Sequence, residues 1–201
     1  MARADAQRNE EALLVAAKEE FTANGVDVNV RAIATRAGVG TATLYRHFPL
    51  RSDLIAAVFR REIDDCADAA VSLAESHAPG DALERWIHRY TEFVATKNGL
   101  AAALHSGDPA YSGLRRYFEE RVGPALQRLL DSAEHAGDIG TGTSPLDLLG
   151  AIANLCVPPP GSTDTARAYR MVTLLLHGLR YEGAHGGASP VDGAVGRRQP
   201  G

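Results

Sequence analysis

The 201-residue sequence is short of cysteine, lysine and long apolar runs, and each shortage narrows what it can be. Its two cysteines, Cys66 and Cys156, have no CxxC companion, which excludes a disulfide framework and reads as two small buried side chains. Lysine occurs twice, at Lys18 and Lys97, so arginine carries almost all the positive charge. No apolar stretch approaches the roughly 18 residues of a membrane span; Met171–Leu176 is among the best and stops far short. The first residues, Met1-Ala2-Arg3-Ala4-Asp5, lead into mixed charge with no apolar core, so no secretory signal is read and a cytoplasmic protein is expected. HExxH, GxSxG, Walker and GxGxxG patterns are all missing, and no histidine pairs with histidine or cysteine at helical spacing. Glu84/His88 and Asp131/His135 do stand four apart, a spacing typical of surface hydrogen bonds. No catalytic residue, metal ligand or cofactor is expected, and a helical enzyme is the remote alternative.

What is present is helix. Alternating β-branched residues are nearly absent, and apolar positions recur every three to four residues. Helices are expected at about 7–23, 30–37 and 41–48, then a long one capped by Ser52 and another capped by Asp81. Four more follow near 99–105, 112–136, 145–156 and 164–181, about nine in all. Asn24-Gly25 would stop the first helix, Asn29 cap the second, and Gly38-Val39-Gly40 separate the second from the third. From residue 183 to 201 glycine and proline leave little to bury, and a disordered tail is expected. The fold class is all-α.

The net charge of −4 conceals an uneven distribution. Between residues 30 and 61, Arg31, Arg36, Arg46, Arg51, Arg60 and Arg61 face the single acid Asp53. Within this block the three short helices match a helix-turn-helix at about 29–48, with Gly38 at the turn where positive φ is needed. Leu44 and Phe48 point inward, which leaves Thr41, Thr43, Tyr45, Arg46 and His47 outside. That face carries hydroxyls, a guanidinium and an imidazole but no carboxylate, suited to phosphate oxygens and base edges. A merely solvated basic face would look the same.

The run Phe21…Gly25…Val30…Ile33-Ala34…Ala37-Gly38-Val39-Gly40-Thr41-Ala42-Thr43-Leu44-Tyr45-Arg46-His47-Phe48…Arg51…Asp53-Leu54 resembles the N-terminal domain of the TetR family of regulators. The resemblance covers roughly residues 7–60. It implies a homodimeric, sequence-specific regulator on a near-palindromic operator, most simply a repressor released by a small-molecule effector. Regulators without an effector, or responsive to a metal ion, are alternatives. By the same resemblance, Thr41, Ala42, Thr43 and Arg46 would meet bases or nearby backbone, and Tyr45, His47 and Arg51 phosphates. Asn29, Val30, Arg31 and Gly40 complete the expected DNA-facing set, although Val30 replaces a frequent Thr and cannot donate. The domains would be residues 1–60 for DNA and 61–182 for ligand binding and dimerisation.

In the second domain the resemblance is to architecture, with an echo of an actinobacterial subgroup in Ala95–Leu100 and Leu174–Arg180. Trp86, Tyr90, Phe93, Leu104, His105, Tyr117 and Phe118 are candidates for a ligand pocket, and would serve equally as core. Leu146, Leu149, Ile152, Ala153, Tyr169, Val172, Leu176 and Leu179, on the last two helices, are candidates for the dimer interface.

Overall fold

The computed structural model describes the backbone of residues 2–104, 108–157 and 166–185, and the side chains of 4–94, 108–157 and 166–180. Its described residues form eight α-helices and one 3-10 turn, with no strand. Helix α1 (Ala2–Asn24) stops where Gly25 turns to φ +76°. Helix α2 (Val30–Arg36) starts at Asn29, whose side-chain oxygen accepts from the Arg31 amide at 2.9 Å. Gly38 then takes φ +70°, and the Val39 amide donates back to the Ala34 carbonyl at 3.0 Å. Helix α3 (Thr41–His47) follows at once. The end of α1 and the bounds of α2 and α3 lie within a residue or so of the sequence expectation, whereas α1 starts at Ala2, five residues before the expected start near 7.

Two later starts differ. Helix α4 (Arg51–Ser76) is capped by Asp53, which accepts from the Leu50 amide at 3.0 Å, while Ser52 is buried. Helix α5 (Pro79–Leu104) begins before Asp81, because Pro79 has the fixed φ that suits a first helical position. It also runs through Lys97-Asn98-Gly99, so the separate helix expected at 99–105 is its last part as far as residue 104. One glycine costs a helix only about 1 kcal/mol relative to alanine, too little to break one of this length. Eight helices therefore stand where nine were expected.

A 3-10 turn (Pro109–Tyr111), capped by Asp108, leads into α6 (Leu114–His135), α7 (Pro145–Leu155) and α8 (Ala166–His185). Helix α8 passes the expected end near 181, and residues 186–201 of the expected tail lie outside the described residues. No helix of the described residues is long and apolar enough to cross a membrane.

Helix α4 joins everything else. Its first turns put Leu54, Ile55 and Val58 into one core with Leu13, Ala17, Phe21, Ile33, Leu44 and Phe48. Further along, Ile63, Cys66, Ala67 and Ala70 face α5 and α6. The 60/61 boundary expected between domains thus falls inside a continuous helix. At the far end, Arg180 of α8 holds Glu84 at 2.7 Å, and the Gly80 amide donates to Asp138 at 2.8 Å, tying the α6–α7 loop and α8 to the start of α5.

A Cβ at Gly38 would meet no atom within 4 Å, so Gly38→Ala isolates the conformational penalty of its positive φ. We expect a loss of about 1–2 kcal/mol in urea denaturation with an unchanged m-value. No loss would mean the turn can take another conformation.

Candidate functional site

The arginine-rich block resolves into two groups once its partners are located. Arg36 of α2 reaches Glu20 at 2.6 Å and Glu19 at 3.1 Å, both on α1. Arg61 pairs with Glu11 and approaches Asp65, and Arg60 lies over the Tyr117 ring at 5.1 Å. Arg51 donates to the Val26 carbonyl and, at 2.6 Å, to that of Val28, so it closes the α1–α2 loop. Among the described residues, Arg31 and Arg46 alone of the six have no such charged, aromatic or loop partner. Arg31 is exposed on α2; Arg46 is exposed on α3 and donates to the Thr43 hydroxyl at 3.0 Å.

Around these two cations the expected face is assembled. Leu44 and Phe48 are buried, so α3 turns Ala42, Tyr45 and Arg46 outward, with Thr41, Thr43 and His47 half-buried beside them. Tyr45 is 52% exposed, unusual for an aromatic side chain with a nearby core available. Gly40 caps α3 and is exposed. Asn29 is committed to capping α2, and Val30 packs against the core. One carboxylate reaches this face from another element: Glu10 of α1 stands 3.8 Å from His47 Nδ1. Nothing in the spacing of α3 could have revealed it.

Glu20 is buried between α1 and α2, and its partners hold it ionised. The hydrogen bond from Arg36, then that from Asn24, puts its carboxyl below the ordinary 4.5. The lock fixes the inner end of α2 to α1 and leaves the outer face free.

Behind this unit, α4, α5, α6, α7 and the 3-10 turn border a cavity of ≈ 500 Å³ that is partly open to solvent. Of the expected pocket residues, Tyr90, Phe93 and Phe118 line it. Trp86 lies outside the lining, 0% exposed, stacked on Tyr90 and donating to the Cys66 carbonyl at 2.8 Å. Tyr117 faces away from it and donates to Asp64 of α4 at 2.7 Å. The side chain of Leu104, and His105 altogether, lie outside the described residues. Phe59, Tyr111 and Leu114 line it as well, and no spacing along the chain marks them for a cavity.

The expected interface residues separate as well. Leu146, Leu149 and Ala153 line the cavity, while Ile152, Val172 and Leu176 are buried within the protomer. Leu179 is half-buried and Tyr169 exposed, its hydroxyl donating to Glu92 at 2.8 Å. Elsewhere on these last helices Val157, just past the end of α7, and Leu174 are 57% and 61% exposed.

Two family models match the chain: bacterial regulatory proteins of the tetR family over residues 13–58, and the SbtR-like transcriptional regulator C-terminal domain over 78–181. A TetR transcriptional regulator from Streptomyces coelicolor is 34% identical, with a TM-score of 0.70 over 85% of this chain and 98% of that one. The chain belongs to the TetR family. A second member, from Mycobacterium vanbaalenii, is 31% identical with a TM-score of 0.68, covering 90% and 99% of the two chains. RolR, solved in complex with resorcinol, shares the TetR fold at 17% identity and a TM-score of 0.54, over 92% of this chain and 93% of that one. An HTH-type transcriptional regulator of Staphylococcus aureus is 38% identical over 63 residues, 31% of this chain; the match spans about a third of that relative, 34% of its length.

Two substitutions test how the face is held. The depressed Glu20 carboxyl contributes stability that is complete above the ordinary 4.5 and is lost as pH falls through its lower folded value. Urea midpoints followed from about pH 6 to about pH 3 should therefore fall less steeply for Glu20→Gln than for the wild type; parallel curves would dissolve the lock. Arg51→Ala should cost about 1–3 kcal/mol and speed amide exchange in residues 25–29. Unchanged exchange there would remove Arg51 as the closure of the loop.

Proposed function

We propose that this TetR-family chain is a sequence-specific DNA-binding transcriptional regulator, acting as a homodimeric repressor that a small molecule in the cavity releases from its operator. The observation that carries the DNA half is the division of the arginines. Arg31 and Arg46 stand on the outer face of α2 and α3 without an acidic, aromatic or loop partner, whereas Arg36, Arg51, Arg60 and Arg61 are each engaged by such a partner. An exposed tyrosine and two threonines lie between Arg31 and Arg46, the mixture that phosphates and base edges require.

In this reading α3 lies in the major groove, with Thr41, Thr43 and Arg46 toward bases and Tyr45, His47 and Arg31 toward phosphates. Residues 1–60 form the DNA unit and 61–182 the sensing and dimerisation unit. One seven-residue helix reads too little sequence for an operator, so two copies are required, with recognition helices about 34–36 Å apart on a near-palindrome. The exposed Val157 and Leu174 support a self-complementary contact built from α7 and α8.

The aromatic-walled cavity supports release by a small molecule, as does the resorcinol complex of the distant fold relative RolR. A ligand that prefers a conformer with the wrong helix spacing lowers DNA affinity by its preference between the two states.

Selection of bound fragments from random DNA should yield a two-fold symmetric site; an asymmetric or sequence-blind pool would contradict the dimeric reading. On that site, Arg46→Ala should relax preference at particular base pairs by about 1–3 kcal/mol. Arg31→Ala and His47→Ala should weaken all sequences alike, and each should flatten the salt dependence by roughly one unit per phosphate no longer neutralised. Slopes equal to wild type in both would refute the docking.

A further inference from the structure

We infer that the cavity takes a flat, uncharged aromatic molecule of about two rings that carries a hydroxyl or similar hydrogen-bonding group. This rests on the reading above that the cavity is where the effector binds, and it adds the chemistry of that effector.

Shape comes first. One wall is a continuous aromatic surface: Tyr90 and Phe93 lie 5.9 Å apart between ring centres, and Phe93 and Phe118 6.0 Å apart with planes inclined by only 5°. Tyr90 and Phe118 close the set at 6.1 Å. On α7 the lining is Leu146, Leu149, Gly150 and Ala153, and beside the two leucines Gly150 and Ala153 form a low strip that projects almost nothing into the space. The ring wall and this low strip make a slot, and a slot walled by rings favours a planar π-system over a puckered or branched skeleton. A space of ≈ 500 Å³ lies in the usual range for small-molecule sites and admits about two fused or linked rings.

Charge comes next. Among the described residues of the lining, no carboxylate or amine is buried. The charged groups of the lining are Arg115 and Glu119 on the exposed side; they bond each other at 3.0 Å, so neither sign is in excess. Burial also pushes the Tyr90 phenol above its ordinary value, and the same medium penalises a ligand carboxylate or ammonium. The Tyr90 hydroxyl makes one long bond, 3.3 Å to the Leu149 carbonyl, and can turn to a ligand oxygen at little cost. A neutral aromatic alcohol satisfies the slot, the apolar walls and this one hydroxyl together.

The full-length protein titrated by calorimetry at neutral pH tests this with three probes of similar skeleton: 2-naphthol, its anionic counterpart 2-naphthoate, and the saturated, puckered 2-decalol. We expect 2-naphthol to bind and each of the others to bind at least roughly tenfold more weakly. Equal or tighter binding of either, or no binding of 2-naphthol, overturns the assignment. Ala153→Phe fills the slot and should abolish 2-naphthol binding; undiminished binding places the ligand elsewhere and overturns it too. Should that variant fail to fold, Tyr90→Phe keeps the wall and removes the hydroxyl. It should weaken 2-naphthol by several-fold and leave naphthalene unchanged, and an equal effect on both ligands overturns the role of the hydroxyl. Operator release is measured separately: if 2-naphthol binds as expected and the DNA stays bound, the ligand class stands and the effector reading falls.

Discussion

Helix α4 is buried on both of its sides, and the rest of the molecule depends on that packing. It packs on α1 on one side and on α5 and α6 on the other, and Leu54, Ile55, Val58, Ile63, Cys66 and Ala70 join one continuous core with the residues of all these helices. Protein interiors are packed as densely as organic crystals, so a helix packed on both sides cannot move against either one without moving part of it. Lys18 to Glu62 at 2.7 Å and the Arg61–Glu11 pair bind α4 to α1, and Tyr117 and Arg121 of α6 hold Asp64 from the other side. Displacement at one end of α4 is thereby a displacement of the helix-turn-helix.

The electrostatic arrangement follows from the same packing. A helix-turn-helix must keep its outer face positive and uncommitted, yet three short helices bury too little apolar surface to be held by a core alone. The chain meets both requirements by using most of its local arginines as internal fastenings. Arg36 secures α2 to α1, Arg51 closes the loop before α2, and Arg61 secures α1 to α4. Arg31 and Arg46 remain. Exposed ion pairs contribute little each, but fastenings that meet buried groups such as Glu20 or loop carbonyls remove polar atoms that would otherwise lack partners.

Among the helices after α4 one aromatic ladder has two tasks. Trp86, stacked on Tyr90 and bonded to the Cys66 carbonyl, is core, whereas Phe93 and Phe118 continue the ladder as cavity wall. Tyr111, on the 3-10 turn, belongs to the same wall and neighbours Arg51 and Asp53 at the start of α4. The cavity and the fastening of the α1–α2 loop are therefore adjacent.

Much of this was legible along the chain, and the reason is local. Gly25 and Gly38 stop or turn helices because glycine takes positive φ without the backbone strain that a side chain would bring; Asn29 caps with its own side chain; Leu44 and Phe48 define a buried stripe and so, by subtraction, the outer face of α3. Each of these depends on residues at most a few positions apart, and with them the sequence by itself determined the all-helical class, the helix-turn-helix and the side chains it displays. Which arginines are free, that Glu10 stands beside His47, that Trp86 is core and Phe118 wall, and that Leu149 and Ala153 face a cavity were decided only by the tertiary structure. In a helix every inward face has the same periodicity whether it meets another side chain, an empty slot or an ion-pair partner, and only the packed fold supplies the other side.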